Sequence, residues 1–294
     1  MKRYVVGLGE ALWDVLPSGK QLGGAPANFA YHAGQFLGME NVVALSALGN
    51  DALAGETEEA FAARGLNIHM PHVDFPTGTV QVTLDAQGVP TYEICEGVAW
   101  DNIPFDNQMQ EVARQCRAVC FGSLAQRSPV SRHTIQSFLD LTPTDCLRIF
   151  DINLRQHFYD RPTIEESLRR ARVLKINDEE LDIVAPMFGY ADGAVPEACR
   201  RLIADFELDM VVLTCGVKGS YVFTSQQSYF RETPQVDVAD TVGAGDSFTG
   251  AFCAALLNGS PVDEAHRLAV EVSAYVCTQH GAMPQLPAHL RTIL

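Results

Sequence analysis

From residue 118 to residue 224 the chain alternates short apolar runs with amphipathic stretches, a rhythm that leaves few folds open. The runs read AVCFGS, LRIFDIN, RVLKIN and DMVVLTCG, with a last one over residues 220–224. Helical patterns fall between them: one after Pro129, one over 164–171 and one over 195–206. Runs this short and this apolar suit strands covered on both faces, and strands that alternate with helices pair in parallel. The amino-terminal part begins the same way, with a strand over 4–9 and a helix over 27–37 opened by Gly23-Gly24-Ala25-Pro26. Phe29, Ala30, Ala33, Phe36 and Leu37 have helical spacing there, and Gly38 is a natural stop. A strand over 42–48 and a helix over 56–64 follow, and two helices, 246–258 and 263–280, close the chain. The expected fold class is α/β: three layers, α/β/α, around a mainly parallel central sheet.

One section breaks this rhythm. Residues 78–84 alternate, 85–88 read as a turn and 90–96 look extended again, which predicts a hairpin. With the extended stretch 15–22 it would form a small sheet apart from the main body. We find no internal repeat and no separating linker, so 1–294 is expected to be one domain with a lid subdomain over roughly 14–22 and 68–100.

Charge narrows the partners. The 36 acidic and 21 basic residues leave a net −15, which disfavours nucleic acid as the main partner. A phosphate ligand is still compatible, because backbone amides can hold it inside an acidic protein. The amino terminus does not read as a signal peptide, and no uncharged run of roughly 18 apolar residues suggests a membrane span. The 8 cysteines form no CxxC pair and several lie in apolar runs, so they are read as reduced core residues of a cytoplasmic protein.

Chemistry concentrates in Asp240-Thr241-Val242-Gly243-Ala244-Gly245-Asp246-Ser247-Phe248-Thr249-Gly250-Ala251-Phe252. Beyond Asp246 the pattern is helical, so Gly-Ala-Gly stands at a helix amino terminus, where free N–H groups and the dipole favour an anion. A carboxylate beside such a site is electrostatically awkward unless it takes a proton from an attacking hydroxyl while the amides hold a phosphoryl group. The plainer alternative is a helix cap after a tight turn.

The whole string closely resembles the carboxy-terminal signature of the ribokinase/PfkB family of carbohydrate kinases. Other matches follow the family's order: Gly23-Gly24 with Asn28, then Asp151-Ile152-Asn153-Leu154-Arg155, then Asn177 with Glu180, then Thr214-Cys215-Gly216-Val217-Lys218-Gly219. The resemblance implies a ribokinase-like fold with a small β lid, and ATP-dependent phosphorylation of a small sugar. By it, Asp246 is the catalytic base, Gly243, Ala244 and Gly245 form the anion hole, and Arg155 approaches the substrate or the transferring phosphate. Asp14, Gly24 and Asn28 would grip sugar hydroxyls. Asn177 and Glu180 would organise Mg²⁺ through its waters. Thr214, Gly216, Gly219, Gly243 and Gly245 would line ATP. Asp240 and Val242, with the loop near Gly281, would hold a monovalent cation such as K⁺.

Several residues carry a second reading. His280 could contact adenine or simply end a helix. Trp13 and Trp100 could line the sugar pocket or pack the small sheet against the body. Gly7-x-Gly9 lacks the third glycine of a dinucleotide fingerprint and reads as a strand-end turn. Gly49-Asn50-Asp51 is followed by Gly55, one residue later than in the family, which weakens any role carried over to Asp51.

The openings Gly9-Glu10-Ala11-Leu12-Trp13-Asp14 and Gly97-Val98-Ala99-Trp100-Asp101 look most like fructokinases, so the expected acceptor is fructose at a primary hydroxyl. Ribose, 2-keto-3-deoxygluconate and a nucleoside stay open, and a sugar phosphate is disfavoured by the absence of a second basic cluster. A catalytically inactive sugar- or nucleotide-binding regulator and an NAD-dependent oxidoreductase are the rivals from other classes. Sheet edges in the lid favour a homodimer over a monomer.

Overall fold

The computed structural model describes residues 3–16, 19–84, 90–190 and 194–291. In chain order the first part comprises β1 (Tyr4–Leu8), β2 (Leu12–Leu16), β3 (Gly19–Gly23), α1 (Ala25–Leu37), β4 (Val42–Leu45), α2 (Ala52–Ala63) and β5 (Ile68–His69). There follow β6 (Gly78–Leu84), β7 (Pro90–Ile94), α3 (Asn107–Arg114), β8 (Cys116–Phe121), α4 (Pro129–Leu141), β9 (Leu147–Asp151), α5 (Arg161–Arg170) and β10 (Val173–Asn177). The last part holds α6 (Asp178–Met187), α7 (Val195–Phe206), β11 (Met210–Thr214), β12 (Ser220–Thr224), β13 (Ser228–Arg231), α8 (Ala244–Leu257) and α9 (Val262–Cys277).

Among the described residues a large sheet runs in the order β13-β12-β11-β10-β9-β8-β1-β4-β5. Its pairs are parallel from β11 to β5, and antiparallel where β12 and β13 join. Side chains alternate across this sheet and sort into two cores. Val6, Leu8, Val119 and Phe121 face α3 to α7, whereas Val5, Ala44, Ala118 and Cys120 face α1, α2, α8 and α9. Both faces are therefore apolar, as expected for a parallel sheet between helix layers.

The small sheet is ordered β3-β2-β6-β7, with β2 and β6 parallel and the outer pairs antiparallel. Leu12, Val80, Val82 and Ile94 bury one of its faces into the same core as α3 to α7. Ile68–His69 pairs with β4 in the large sheet, so the part of 68–100 that enters the small sheet begins at Gly78. The turn expected over 85–88 lies outside the described residues.

Asp51 sets the start of α2, earlier than the apolar spacing suggested, by accepting the N–H of Ala54 at 3.0 Å. Gly55 lies inside that helix. Asp51 also holds Thr77, through N–H at 2.7 Å and hydroxyl at 2.7 Å, just before β6. The described cysteines are all free, and Cys116, Cys120, Cys146, Cys199 and Cys253 are buried. No helix among the described residues is long and apolar enough to cross a membrane.

Candidate active site

The site lies past the carboxy-terminal ends of β1, β8 and β9, where α1 and α8 begin. In open α/β sheets this is the end at which connections leave room for a ligand. Glu10, Ala25, Gly122, Asp151, Asn153 and Asp246 are among the residues lining the cleft.

At the start of α8, Gly243 caps the helix at φ 78°, a left-handed conformation suited to glycine. A methyl group there would lie 2.7 Å from Ala282 Cα, so close packing as well as backbone conformation requires glycine. A side chain at Gly245 would come within 3.1 Å of Lys175 Nζ. The first-turn N–H groups of such a helix have no intrahelical partners and face an incoming anion.

Asp246 follows in that first turn. Its Oδ2 accepts the Asn28 amide at 2.7 Å, which ties α8 to α1. Burial pushes its carboxyl up to about 6, and neighbouring Asp151 adds to the shift, while Asn28, Lys175 and Arg155 oppose it. A base titrating near there is ionised at neutral pH yet still basic enough to accept a proton.

Beneath Asp246 lies a group that the sequence reading did not assemble. Lys175 Nζ stands 3.1 Å from Asp151 Oδ1, both nearly buried, and Thr249 donates to Asp151 Oδ2 at 3.0 Å. Burial works against the Lys175 charge, but Asp151, Glu180 and Asp246 together raise its pKa. A lone lysine within the apolar run RVLKIN was the available signal. Glu10 was also overlooked as a site residue. It is buried, and loss of solvent pushes its carboxyl up to about 7.

Of the residues expected to grip the sugar, Asp14 is half-buried on β2, its pKa raised by burial and opposed by Arg155. Gly24 caps α1 at φ 121°. Arg155 is exposed, yet its charge acts on Glu10, Asp14 and Asp246 alike. Trp100, a candidate for the sugar pocket or for packing the small sheet, has no exposed surface. Its ring packs under Gly78 and against the Arg127 guanidinium, 4.0 Å away, so it joins the small sheet to the body. Trp13 does the same, its indole N–H donating to Thr57 at 2.8 Å.

Asn177 and Glu180 form a reciprocal capping box at the start of α6, with bonds of 2.8 and 2.9 Å. The other Glu180 oxygen accepts the Leu154 N–H at 2.8 Å. With these oxygens already engaged, the pair suits a metal held at one remove through water, since Mg²⁺ keeps much of its hydration. Among the described residues no group of three His, Cys, Asp or Glu side chains is arranged to hold a metal ion directly.

The proposed nucleotide loop follows β11. Thr214 ends that strand opposite Ser220, Gly216 has φ 53° and Gly219 has φ 113°. His280 is exposed just beyond α9. Asp240 accepts the N–H of Val242 at 3.0 Å and of Gly281 at 3.1 Å, joining the two segments expected to flank a monovalent cation.

Comparison with known proteins gives the family. The model for "pfkB family carbohydrate kinase" matches residues 17–289. A fructokinase of Klebsiella pneumoniae is 27% identical over 95% of this chain and 95% of its own. An ATP-dependent 6-phosphofructokinase of Thermoanaerobacterium thermosaccharolyticum is 26% identical over 97% of this chain and 92% of its own. The solved fructokinase of Vibrio cholerae O395, bound to fructose, ADP and calcium, superposes with a TM-score of 0.80 at 25% identity, covering 100% of this chain and 99% of that one.

Proposed function

The chain belongs to the pfkB family of carbohydrate kinases, and from that premise we propose that it transfers the terminal phosphoryl group of ATP to a primary hydroxyl of a free sugar, fructose first. The observation that carries the reading is Asp246, held by Asn28 at 2.7 Å in the first turn of α8. There a base and an anion-binding helix end share one position.

The acceptor binds between the large sheet and the small sheet, which closes as a lid and excludes water. Asp14, Gly24 and Asn28 orient its hydroxyls, and Asp246 takes the proton of the attacking one. The N–H groups at Gly243, Ala244 and Gly245 receive the phosphoryl oxygens, while Arg155 neutralises charge that develops on them. Thr214, Gly216 and Gly219 line ATP, with His280 at the adenine end. Mg²⁺, when bound, offsets phosphate charge; Asn177 and Glu180 would hold its waters. K⁺ would sit beside Asp240 and Val242.

An unphosphorylated acceptor is favoured by charge. Glu10, Asp14 and Asp246 supply carboxyl groups around the cleft, whereas Arg127 is paired with Asp101 at 2.8 Å and Lys20 with Glu56. Two copies joined through the small sheets, in the cytoplasm, complete the proposal. Light scattering that gives a monomer mass would remove the first part.

The test is ADP release from Mg²⁺-ATP with K⁺ across fructose, ribose, 2-keto-3-deoxygluconate, nucleosides and fructose 6-phosphate. Turnover is expected with fructose. Preference for the phosphorylated sugar would overturn the acceptor assignment and leave the kinase chemistry standing.

A further inference from the structure

The loop that carries Arg155 is fixed at both ends and strained between them. Before Arg155, the Leu154 N–H donates to Glu180 at 2.8 Å. After it, the Phe158 ring lies 4.4 Å from the Arg127 guanidinium, whose other side faces Trp100 at 4.0 Å. Arg127 is buried and paired with Asp101 through bonds of 2.8 and 2.9 Å. Both anchors belong to the body of the protein.

Asn153, just before the first anchor, and Gln156, between the two, adopt left-handed backbone, with φ 47° and 48°. Asparagine visits this region readily, whereas a longer side chain does so at a cost that its surroundings must offset. For Gln156 the surroundings supply one tie. Its Nε2 donates to the Tyr92 carbonyl at 2.7 Å. Tyr92 lies on β7, the edge strand of the small sheet, so this bond occupies a main-chain acceptor on the edge away from β6. Gln156 is therefore adjacent to Arg155 in sequence and bonded to the small sheet in space.

We infer that Gln156 is a positioning residue that couples the seating of the small sheet to the placement of Arg155 for phosphoryl transfer. The inference rests on the role proposed above for Arg155. With the sheet seated, the Tyr92 carbonyl holds Gln156 in its left-handed conformation, and that conformation sets the direction in which Arg155 leaves the chain. With the sheet away, the bond is lost and the backbone at Gln156 relaxes, turning Arg155 from the phosphoryl group. Charge stabilisation would thus be assembled only over an enclosed acceptor.

The test uses the full-length enzyme with fructose and ATP. Gln156→Glu keeps the shape of the side chain but removes the donor, and Gln156→Asn keeps an amide but shortens its reach. Each is expected to lower kcat about tenfold, the order of effect expected from a lost hydrogen bond and a slightly misplaced group. The thermal midpoint should hold, because the bond is solvent-exposed. The deciding experiment is a double-mutant cycle with Arg155→Ala. If Gln156 acts through Arg155, adding Gln156→Glu to that variant costs nothing further. An unchanged kcat in the single Gln156 variants, or a loss that multiplies with that of Arg155→Ala, overturns the inference. If Arg155→Ala itself leaves kcat intact, the role assigned to Arg155 falls, and the coupling falls with it.

Discussion

At the start of α8, Lys175, Asp151, Thr249 and Gly245 hold one another, with Thr249 bonded both to Asp151 and to the Gly245 carbonyl at 3.0 Å. The small sheet is joined differently. It buries one face, while Tyr92 on its edge strand is 54% exposed, and polar ties such as Trp13 to Thr57 and Gln156 to Tyr92 secure its margins. The contrast matches two physical demands. Groups that stabilise a developing charge work best when already in place, since reorganising them would raise the barrier. In the function proposed above, the small sheet would have to admit a sugar and then exclude water, which calls for movement at its margins.

The sharpest way to break this comparison is at Asp246. Asp246→Asn is expected to lower kcat about a thousandfold with ATP affinity largely kept, as measured by steady-state kinetics and calorimetry. In the unmodified protein, kcat/KM should fall as pH drops through about 6, because protonation removes the base. A flat profile down to pH 5 would contradict the assignment of Asp246.

Next in size is Lys175→Met, which leaves the buried Asp151 carboxylate without its cation. Urea unfolding should show a loss of about 3–5 kcal/mol, and adding Asp151→Asn should restore much of it. A loss below about 1 kcal/mol would mean that the buried pair is not held as described.

Beside the small sheet, Asp51→Ala removes the bonds to Ala54 and Thr77 and should cost about 1–3 kcal/mol. It should also raise the acceptor KM more than the ATP KM, because Thr77 leads directly into β6. Equal changes in both constants would argue against a link between Asp51 and the sheet. The smallest effect is expected from Trp13→Phe, about 1 kcal/mol for the lost bond to Thr57, with kcat unchanged.

The same contrast governs what could be read before the structure. The large sheet was legible because buried parallel strands are continuous apolar runs, and Val119 or Val211 needs no long-range information to look buried. The glycine-capped start of α8 was legible because Gly243 to Asp246 form one continuous string. By contrast, α3 escaped notice because only Met109, Val112 and Ala113 of Asn107–Arg114 are buried. β13 is short, and its Ser228–Arg231 carries no apolar run. Lys175 and Glu10 were missed for another reason. Each gains its meaning from carboxylates and amides distant in sequence, and the fold alone brings them together. Trp100 shows the converse: its aromatic ring suggested a sugar wall, but whether such a ring faces a cleft or a core depends on the element laid across it.

The alternation along β10 has a consequence for how this chain can change in length. Leu174 and Ile176 belong to the core beneath α3 to α7, while Val173 shares the opposite face with Lys175, towards α8. Deleting a single residue such as Leu174 would exchange those faces, setting Ile176 against Asp151 and the Lys175 amine among leucines. Insertions and deletions in the central strands are therefore constrained by parity, whereas the surface connections are free of it. Divergence among homologous chains should accumulate as altered loop lengths around strands whose count of residues stays fixed.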